Sequence, residues 1–125
     1  MISIDYRDRR SIYEQLVERI TSLAASGFLS PGSQLPSVRQ LAGELSINPN
    51  TIQRAYAELE RAGVTYTVKG RGSFVTEDTN LLRTKMQDEL FEDFNHSAHR
   101  AIDGGVPPAR LISSIESIEK EAGNK

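Results

Sequence analysis

The segment SVRQLAGELSINPNTIQRAYAELERAG, residues 37–63, decides the fold. Ser37 and Gln40 have the spacing of a capping box, which begins a helix. Asn48 and Pro49 give a second helix start, because asparagine is a favoured N-cap and proline suits the first helical position. Two short helices joined by a short turn predict a helix-turn-helix. Apolar residues at helical spacing predict the buried faces, which are Val38, Leu41, Ala42 and Leu45 in the first helix and Ile52, Ala55, Tyr56 and Leu59 in the second.

The residues upstream add a further helix to this unit. Ser11 and Glu14 form another capping box, and an apolar face at helical spacing follows them. This helix is predicted to end at Gly27, because glycine suits the left-handed conformation at a helix end. Residues 29–33 are predicted to form a turn, and residues 2–4 a short strand.

The residues downstream predict a β-hairpin. After Gly63 the residues are β-branched and aromatic at 64–68, which is typical of a strand. Residues 69–72, KGRG, then permit a tight turn before a second strand at residues 73–75. A hairpin directly after the second helix of a helix-turn-helix is a wing.

Helical periodicity returns after residue 77 and continues to the last residues of the chain. Two helices cannot enclose a core between them, so their apolar stripes need another surface. We predict that the stripes form a homodimer interface, the alternative being that the two helices fold back on their own winged domain. The predicted interface residues are Leu82, Met86, Leu90, Phe91, Phe94, Ile112, Ile115 and Ile118. The fold class is therefore mainly α with a small β-hairpin: a winged helix-turn-helix over residues 1–76, then a two-helix dimerisation segment over residues 77–125.

Charge is divided unevenly along the chain. The net charge is −2, but residues 1–76 hold nine Lys and Arg against seven Asp and Glu, whereas residues 77–125 hold six against ten. Such an asymmetry is typical of a DNA-reading module joined to a module of another kind.

The composition also excludes several classes of protein. There is no cysteine, so disulfides and thiolate metal sites are excluded. The first ten residues lack the apolar core of a signal peptide, and nowhere do about 18 apolar residues run together. We therefore expect a cytoplasmic protein that makes no contact with a membrane.

Several motifs together resemble one family of bacterial regulators. LPSVRQLA at residues 35–42, INPNTIQRAYAELERAG at 47–63 and VKGRGSFV at 68–75 closely resemble the GntR family. SIYEQLVERI at residues 11–20 is similar to the first helix of that family. A short two-helix tail in place of a large ligand domain resembles the YtrA-type subfamily.

This resemblance implies a function. It implies a homodimer that binds a roughly palindromic DNA operator, usually as a repressor, and that responds to an effector through its rear domain. For the YtrA type it implies control of a transporter operon. No cofactor is implied.

The predicted DNA contacts in the helix-turn-helix lie at two helix starts. Arg39 is in the first turn of its helix, where the helix dipole and a guanidinium both attract phosphate. Its counterpart in the family contacts DNA; the alternative is a salt bridge to Glu44 or Glu58. The start of the next helix faces the major groove in this architecture. The candidates there are Asn48, which also serves as N-cap, Asn50, Thr51, Gln53 and Arg54.

Two of these candidates have specific alternatives. Gln53 can bond bidentately to adenine, although the family often has arginine at this position. Its alternative is a solvated polar side chain. Arg54 can reach the DNA backbone or pair with Glu58 one turn further on.

The wing tip supplies the remaining candidates, Lys69, Gly70 and Arg71. Glycine permits a positive φ and a close approach of the backbone to phosphate. The resemblance places a DNA-contacting glycine at Gly70, although a plain hairpin turn would need a glycine too. Arg9 and Arg10 precede the first helix and are either phosphate contacts or surface charges.

Three other functions compete with DNA binding. His96 and His99 have a spacing that suits a metal ion, but two histidines without a third convergent ligand do not predict a metal site. No nucleophile with its base and no phosphate-cradling loop of sufficient length is present, so an enzyme is not predicted. A winged helix that serves only as a protein–protein adaptor is the alternative function.

Overall fold

The computed structural model describes residues 2–123, and over this range the chain forms five helices and two strands. The helices are α1 (Ile12–Ser26), α2 (Val38–Leu45), α3 (Pro49–Arg61), α4 (Thr79–Asp103) and α5 (Pro108–Gly123). The strands β1 (Thr65–Val68) and β2 (Gly72–Val75) lie between α3 and α4. The mainly α fold with one hairpin is confirmed.

Local side-chain contacts begin the first three helices as the sequence predicts. The Ser11 Oγ accepts a hydrogen bond from the backbone N–H of Glu14 at 3.2 Å, and the Ser37 Oγ accepts one from Gln40 at 3.0 Å. The Gln40 side chain does not reach back to complete the capping box; its Nε2 donates to Glu44 Oε1 at 3.3 Å. Asn48 is the N-cap of α3.

The turn between α2 and α3, residues 46–48, contains one left-handed residue. Ser46 has φ 54° and ψ 47°, and it is the C-cap of α2. The Ile47 backbone N–H then donates to the Ala42 carbonyl at 3.0 Å, which satisfies one of the last carbonyls of α2. This reversal sets α2 and α3 as the two helices of a helix-turn-helix.

The core of this winged unit draws side chains from α1, α2, α3 and β2, and from Val64 just before β1. The predicted buried face of α3 is confirmed: Ile52, Ala55 and Leu59 have no exposed surface, and Tyr56 is 8% exposed. In α2, Leu41 and Ala42 are buried as predicted, whereas Val38 and Leu45 are only partly buried against the core. The largest fully buried side chains are Leu16, Ile20, Leu41, Ile52, Leu59, Val64 and Val75.

A third extended segment pairs with the hairpin, and the sequence did not predict it. β1 and β2 pair antiparallel, from Thr65 opposite Val75 to Val68 opposite Gly72. Residues 33–35, between α1 and α2, pair with the other edge of β2. The Leu35 N–H donates to the Ser73 carbonyl, and the Val75 N–H donates to the Ser33 carbonyl, both at 2.8 Å. The predicted turn therefore leads directly into a segment that lines the wing.

The short strand predicted at residues 2–4 is wrong. Ile2 and Ile4 pack against the core, but the backbone that follows them bonds to a side chain and not to a strand. The Asp5 N–H donates to Gln15 Oε1 at 2.9 Å, and the Asp5 carbonyl accepts from Gln15 Nε2 at 3.0 Å. This buried glutamine of α1 satisfies the backbone that a strand partner would have satisfied.

The chain divides into two compact units, Met1–Met86 and Gln87–Lys125. The first unit includes the beginning of α4, because Leu82 is only 8% exposed and belongs to the core, against which Met86 also packs. The Arg83 Nε donates to the carbonyl of Ala25 near the end of α1 at 3.1 Å. The assignment of Leu82 to an exposed dimer stripe is therefore wrong, since its side chain is used inside its own unit.

The second unit exposes most of its large apolar side chains. The Phe91 and Phe94 ring centroids are 6.3 Å apart, and these side chains are 63% and 46% exposed. The other exposed large apolar residues of this unit are Leu90, Ile102, Ile112, Ile115 and Ile118.

Among the helices of residues 2–123, none combines the length and the apolar character that crossing a membrane requires.

Candidate nucleic-acid interface

The exposed face of α3 carries most of the predicted DNA-binding residues. Since Ile52, Ala55, Tyr56 and Leu59 face the core, the helical period turns Asn50, Gln53 and Arg54 away from it, and all three are exposed. Thr51 is half-buried beside this face. Because Gln53 is exposed, its side-chain amide is open to solvent.

Asn48 uses one half of its side chain to begin α3. Its Oδ1 accepts a hydrogen bond from the Asn50 backbone N–H at 2.9 Å, and its backbone carbonyl accepts one from Thr51 at 3.0 Å. The N-cap role is therefore confirmed. What the exposed carboxamide has left to offer DNA is its Nδ2 donor, which suits a phosphate or a base acceptor.

Arg39 is exposed in the first turn of α2, and both acidic partners considered for it are engaged elsewhere. Glu58 binds Arg61, with Oε1 and Oε2 accepting at 2.5 and 2.8 Å, and Glu44 accepts from Gln40. The hydrogen bond from Arg61 lowers the pKa of Glu58, and the same bond raises the pKa of Arg61. The salt-bridge alternative for Arg39 is therefore wrong, and its guanidinium faces solvent.

Arg54 makes a contact that the sequence did not indicate. Its guanidinium carbon lies 4.0 Å from the centroid of the Tyr13 ring, near the start of α1. The alternative considered for Arg54, a pair with Glu58, is not formed because Arg61 occupies that carboxylate. Stacking on a ring engages the guanidinium face and leaves its N–H edges available to an anion.

The wing tip is exposed and has the conformation that glycine permits. Lys69, Gly70 and Arg71 are all exposed, and Gly70 has φ 80°. The Arg71 N–H donates to the Val68 carbonyl at 2.9 Å, which closes the turn. One contact comes from outside the hairpin, since the Gln34 Nε2 donates to the Arg71 carbonyl at 2.5 Å.

Sequence reasoning missed Gln34 and Tyr13 as parts of this surface. Gln34 was next to a predicted turn, and no local signal shows that it pairs with a hairpin 37 positions away. Tyr13 followed the capping box at the start of α1, where an aromatic residue signals packing more than binding. On the wing itself, Tyr66 and Phe74 stack across the strands with centroids 5.7 Å apart.

The two arginines before α1 differ in their contacts. Arg10 forms ion pairs with Asp8, at 2.7 Å, and with Glu18. Its hydrogen bond lowers the pKa of Asp8. Arg10 is thus a surface charge that is already neutralised, while Arg9 is exposed.

Tyr56 and the two histidines lie outside this surface. Tyr56 is buried in the core, and its hydroxyl donates to the Pro36 carbonyl at 2.7 Å. Burial raises its pKa to about 12. His96 and His99 are exposed on α4, and residues 2–123 contain no group of three or more His, Cys, Asp or Glu side chains that could hold a metal ion.

Comparisons with known proteins match both the motifs and the fold. Residues 11–75 match the family described as bacterial regulatory proteins, gntR family. The HTH-type transcriptional repressor YtrA of Bacillus subtilis is 46% identical over 97% of this chain and 94% of its own length. A transcriptional regulator from Oenococcus oeni has a similar structure, with a TM-score of 0.78 and 36% identity over 94% of this chain and 98% of that one.

A complex with DNA is also among the similar structures. The DNA-binding domain of AraR in complex with operator ORE1 has a TM-score of 0.52 and 26% identity, covering 61% of this chain and 93% of that one. The related proteins are transcription regulators and not enzymes, as the sequence predicts. This chain therefore belongs to the GntR family of bacterial regulatory proteins, and it is a DNA-binding transcription regulator of the YtrA type.

Proposed function

We propose that this protein is a transcriptional repressor that binds a palindromic operator in double-stranded DNA as a homodimer. The observation that carries the proposal is the surface formed by Arg39, the exposed face of α3 and the wing tip. Its polar side chains are turned to solvent, and the acidic residues considered as partners for Arg39 and Arg54 are bound elsewhere. We propose Arg39, Asn48, Asn50, Thr51, Gln53, Arg54, Lys69, Gly70 and Arg71 as the DNA-binding residues.

The chemistry of this surface favours DNA over a protein partner. Amide side chains at the start of a helix can reach base edges in the major groove, and arginine and lysine on either side can hold phosphates. Gly70 brings a backbone N–H to the tip of the wing without a side chain in front of it. A protein–protein adaptor would be expected to expose apolar anchors here, and α3 exposes none.

The second unit supports the homodimer. Its exposed apolar side chains include Leu90, Phe91, Phe94, Ile112, Ile115 and Ile118, each between 45% and 63% exposed. Several large apolar side chains exposed on one unit are typical of an interface between subunits. We propose these six residues as the interface, together with Met86, which is only partly buried against the core of the first unit.

The symmetry of the proposed dimer determines the symmetry of the operator. A two-fold dimer presents two copies of α3 in opposite directions, so its preferred site has two inverted half-sites. The resemblance to YtrA-type regulators extends the proposal to control of a transporter operon and to an effector that acts through residues 77–125. In this proposal the effector changes the affinity for the operator.

Selection of bound duplexes from a randomised DNA library tests the proposal, followed by titration of the selected duplex at several salt concentrations. We expect an inverted repeat, and an affinity that falls steeply with salt because phosphate contacts release counterions. Arg39→Ala should weaken binding, whereas Arg110→Ala, a matched change on exposed α5, should leave it unchanged. Enrichment of no sequence, with no salt-dependent binding, would favour the adaptor function.

A further inference from the structure

The tip of the wing is held by a side chain that does not belong to the hairpin. Gln34 lies between α1 and α2, and its Nε2 donates to the backbone carbonyl of Arg71 at 2.5 Å. Arg71 is one of the two cations at the tip. The contact joins positions 37 residues apart, so it ties the wing to the segment that leads into the helix-turn-helix.

The backbone on both sides of Gln34 is fixed. Gln34 itself forms an isolated bridge with Phe74, and its neighbours Ser33 and Leu35 bond to β2 at 2.8 Å. The Cα and Cβ positions of Gln34 are therefore fixed as firmly as those of a strand residue. Because the backbone of Gln34 is already ordered, its side chain can donate a hydrogen bond with little further loss of backbone entropy.

The wing tip needs such a contact because of its own sequence. Arg71 stands between Gly70, with φ 80°, and Gly72, with φ 116°. Glycine on both sides gives this residue many accessible backbone conformations. The Arg71 N–H is bound to Val68, and Gln34 takes its carbonyl, so both polar backbone groups of Arg71 have a partner.

Gly72 also makes room for the glutamine. A Cβ at Gly72 would lie 3.1 Å from the Gln34 Nε2, which is closer than ordinary van der Waals contact. A side chain there would press on the donor of the bond, besides being strained at this φ. The glycine at position 72 and the glutamine at position 34 thus fit each other.

We propose that Gln34 is a positioning residue that pre-organises the wing so that Arg71 meets a DNA phosphate. This inference rests on the proposed DNA binding. Gln34 acts through the backbone of Arg71, and losing its donor leaves the tip free to reorient. The affinity for operator DNA should then fall by roughly three- to tenfold, the range that one net hydrogen bond of this kind supplies.

The test is a double-mutant cycle between Gln34→Met and Arg71→Ala. Methionine keeps the length of the side chain and removes the donor. In the wild-type background Gln34→Met should weaken binding to the selected duplex three- to tenfold. In the Arg71→Ala background it should weaken binding less than about twofold, since the side chain being positioned is gone. Gln87→Met, an exposed glutamine of α4, is the matched control and should change nothing.

A second measurement separates this inference from the proposed function. Nuclear magnetic relaxation of the Gly70 and Gly72 amides in the DNA-free protein should show greater mobility in Gln34→Met and Gln34→Ala, with the thermal midpoint nearly unchanged. Equal losses of affinity in both backgrounds, or unchanged relaxation in both variants, would overturn the positioning role. If the wild-type protein binds no DNA, the proposed function fails, while the relaxation result still decides whether Gln34 holds the tip.

Discussion

The guanidinium of Arg54 on α3 stacks over the ring of Tyr13 on α1, with 4.0 Å between the guanidinium carbon and the ring centroid. Tyr13 is half-buried and packs against the core, so the ring is a fixed platform. Arg54 is exposed on the same face of α3 as Asn50. Helix α1 therefore helps to position the Arg54 guanidinium on the proposed DNA-binding surface.

We expect Tyr13→Leu to weaken operator binding by about two- to fivefold, because a cation–π contact at an exposed site contributes about 0.5–1 kcal/mol. Tyr13→Phe should bind like the wild type, since it keeps the ring. Fluorescence anisotropy with the selected duplex measures both. In an Arg54→Ala background the leucine variant should cause no further loss. A loss of the same size there would mean that Tyr13 acts independently of Arg54.

Gln53 is expected to read a base. A carboxamide matches the donor and acceptor of adenine in the major groove, and a bidentate pair discriminates by roughly 1–3 kcal/mol. Gln53→Ala should relax the preference at one symmetric operator position, and Gln53→Arg should shift that position towards guanine. Randomised-site selection with the three proteins at one fixed salt concentration makes the comparison. Identical preferences in all three would remove Gln53 from base reading.

The wing cations are expected to supply affinity without sequence preference. Lys69→Ala and Arg71→Ala should each weaken binding to all duplexes alike and reduce the slope of log affinity against log salt by about one. Titration of an operator and an unrelated duplex over a salt series measures both effects. A change confined to the preferred sequence would instead make that residue a direct reader of bases.

Charged residues introduced into the exposed apolar surface of the second unit should prevent dimerisation. Leu90→Glu with Phe94→Glu places two carboxylates on the exposed apolar surface, so we expect a folded monomer in sedimentation velocity at tens of micromolar, where the wild type is a dimer. Leu81→Glu is the matched control, because Leu81 is 66% exposed but lies in the first unit. A dimer that survives the double substitution, or a monomeric wild type, would contradict the proposed interface.

Alkali should destabilise the protein through Tyr56. Burial raises the pKa of this phenol from 10.0 to about 12, so the unfolded chain loses the proton at a lower pH than the folded one. The free energy of unfolding is therefore unaffected by this phenol below pH 10. It falls by up to about 2 kcal/mol as the pH rises towards 12. Urea unfolding of the wild type and of Tyr56→Phe across this range isolates the effect. The two stability curves should converge as pH rises, and parallel curves would refute it.

Local signals predicted most of the fold because the residues that begin and end its elements act on their neighbours. Ser11, Ser37 and Asn48 each bond to a backbone N–H two or three positions ahead, so their effect is visible in the sequence. The hairpin was predicted equally well, since Gly70 and Gly72, which both have a positive φ, mark its turn in the sequence.

What sequence reasoning missed depends on contacts between distant positions. Leu82 continues the four-residue period of α4 and was therefore assigned to the same surface as Leu90. Whether each side chain meets the core or solvent is decided by packing and not by period, and Leu82 is 8% exposed where Leu90 is 60% exposed. The Gln34–Arg71 and Tyr13–Arg54 contacts have the same character, because each joins elements that only the folded chain brings together.

The left-handed Ser46 bears on how readily this regulator could acquire new specificity. A residue with a Cβ in this conformation is less stable than glycine by roughly 1–2 kcal/mol. Ser46→Gly removes this strain but costs roughly 0.5–1 kcal/mol in conformational entropy, so it should stabilise the protein by about 1 kcal/mol at most, without replacing any proposed DNA-binding residue. A chain that carried this change would tolerate slightly more destabilising replacements on α3, so the backbone conformation of Ser46 influences how far the recognition surface can change in evolution.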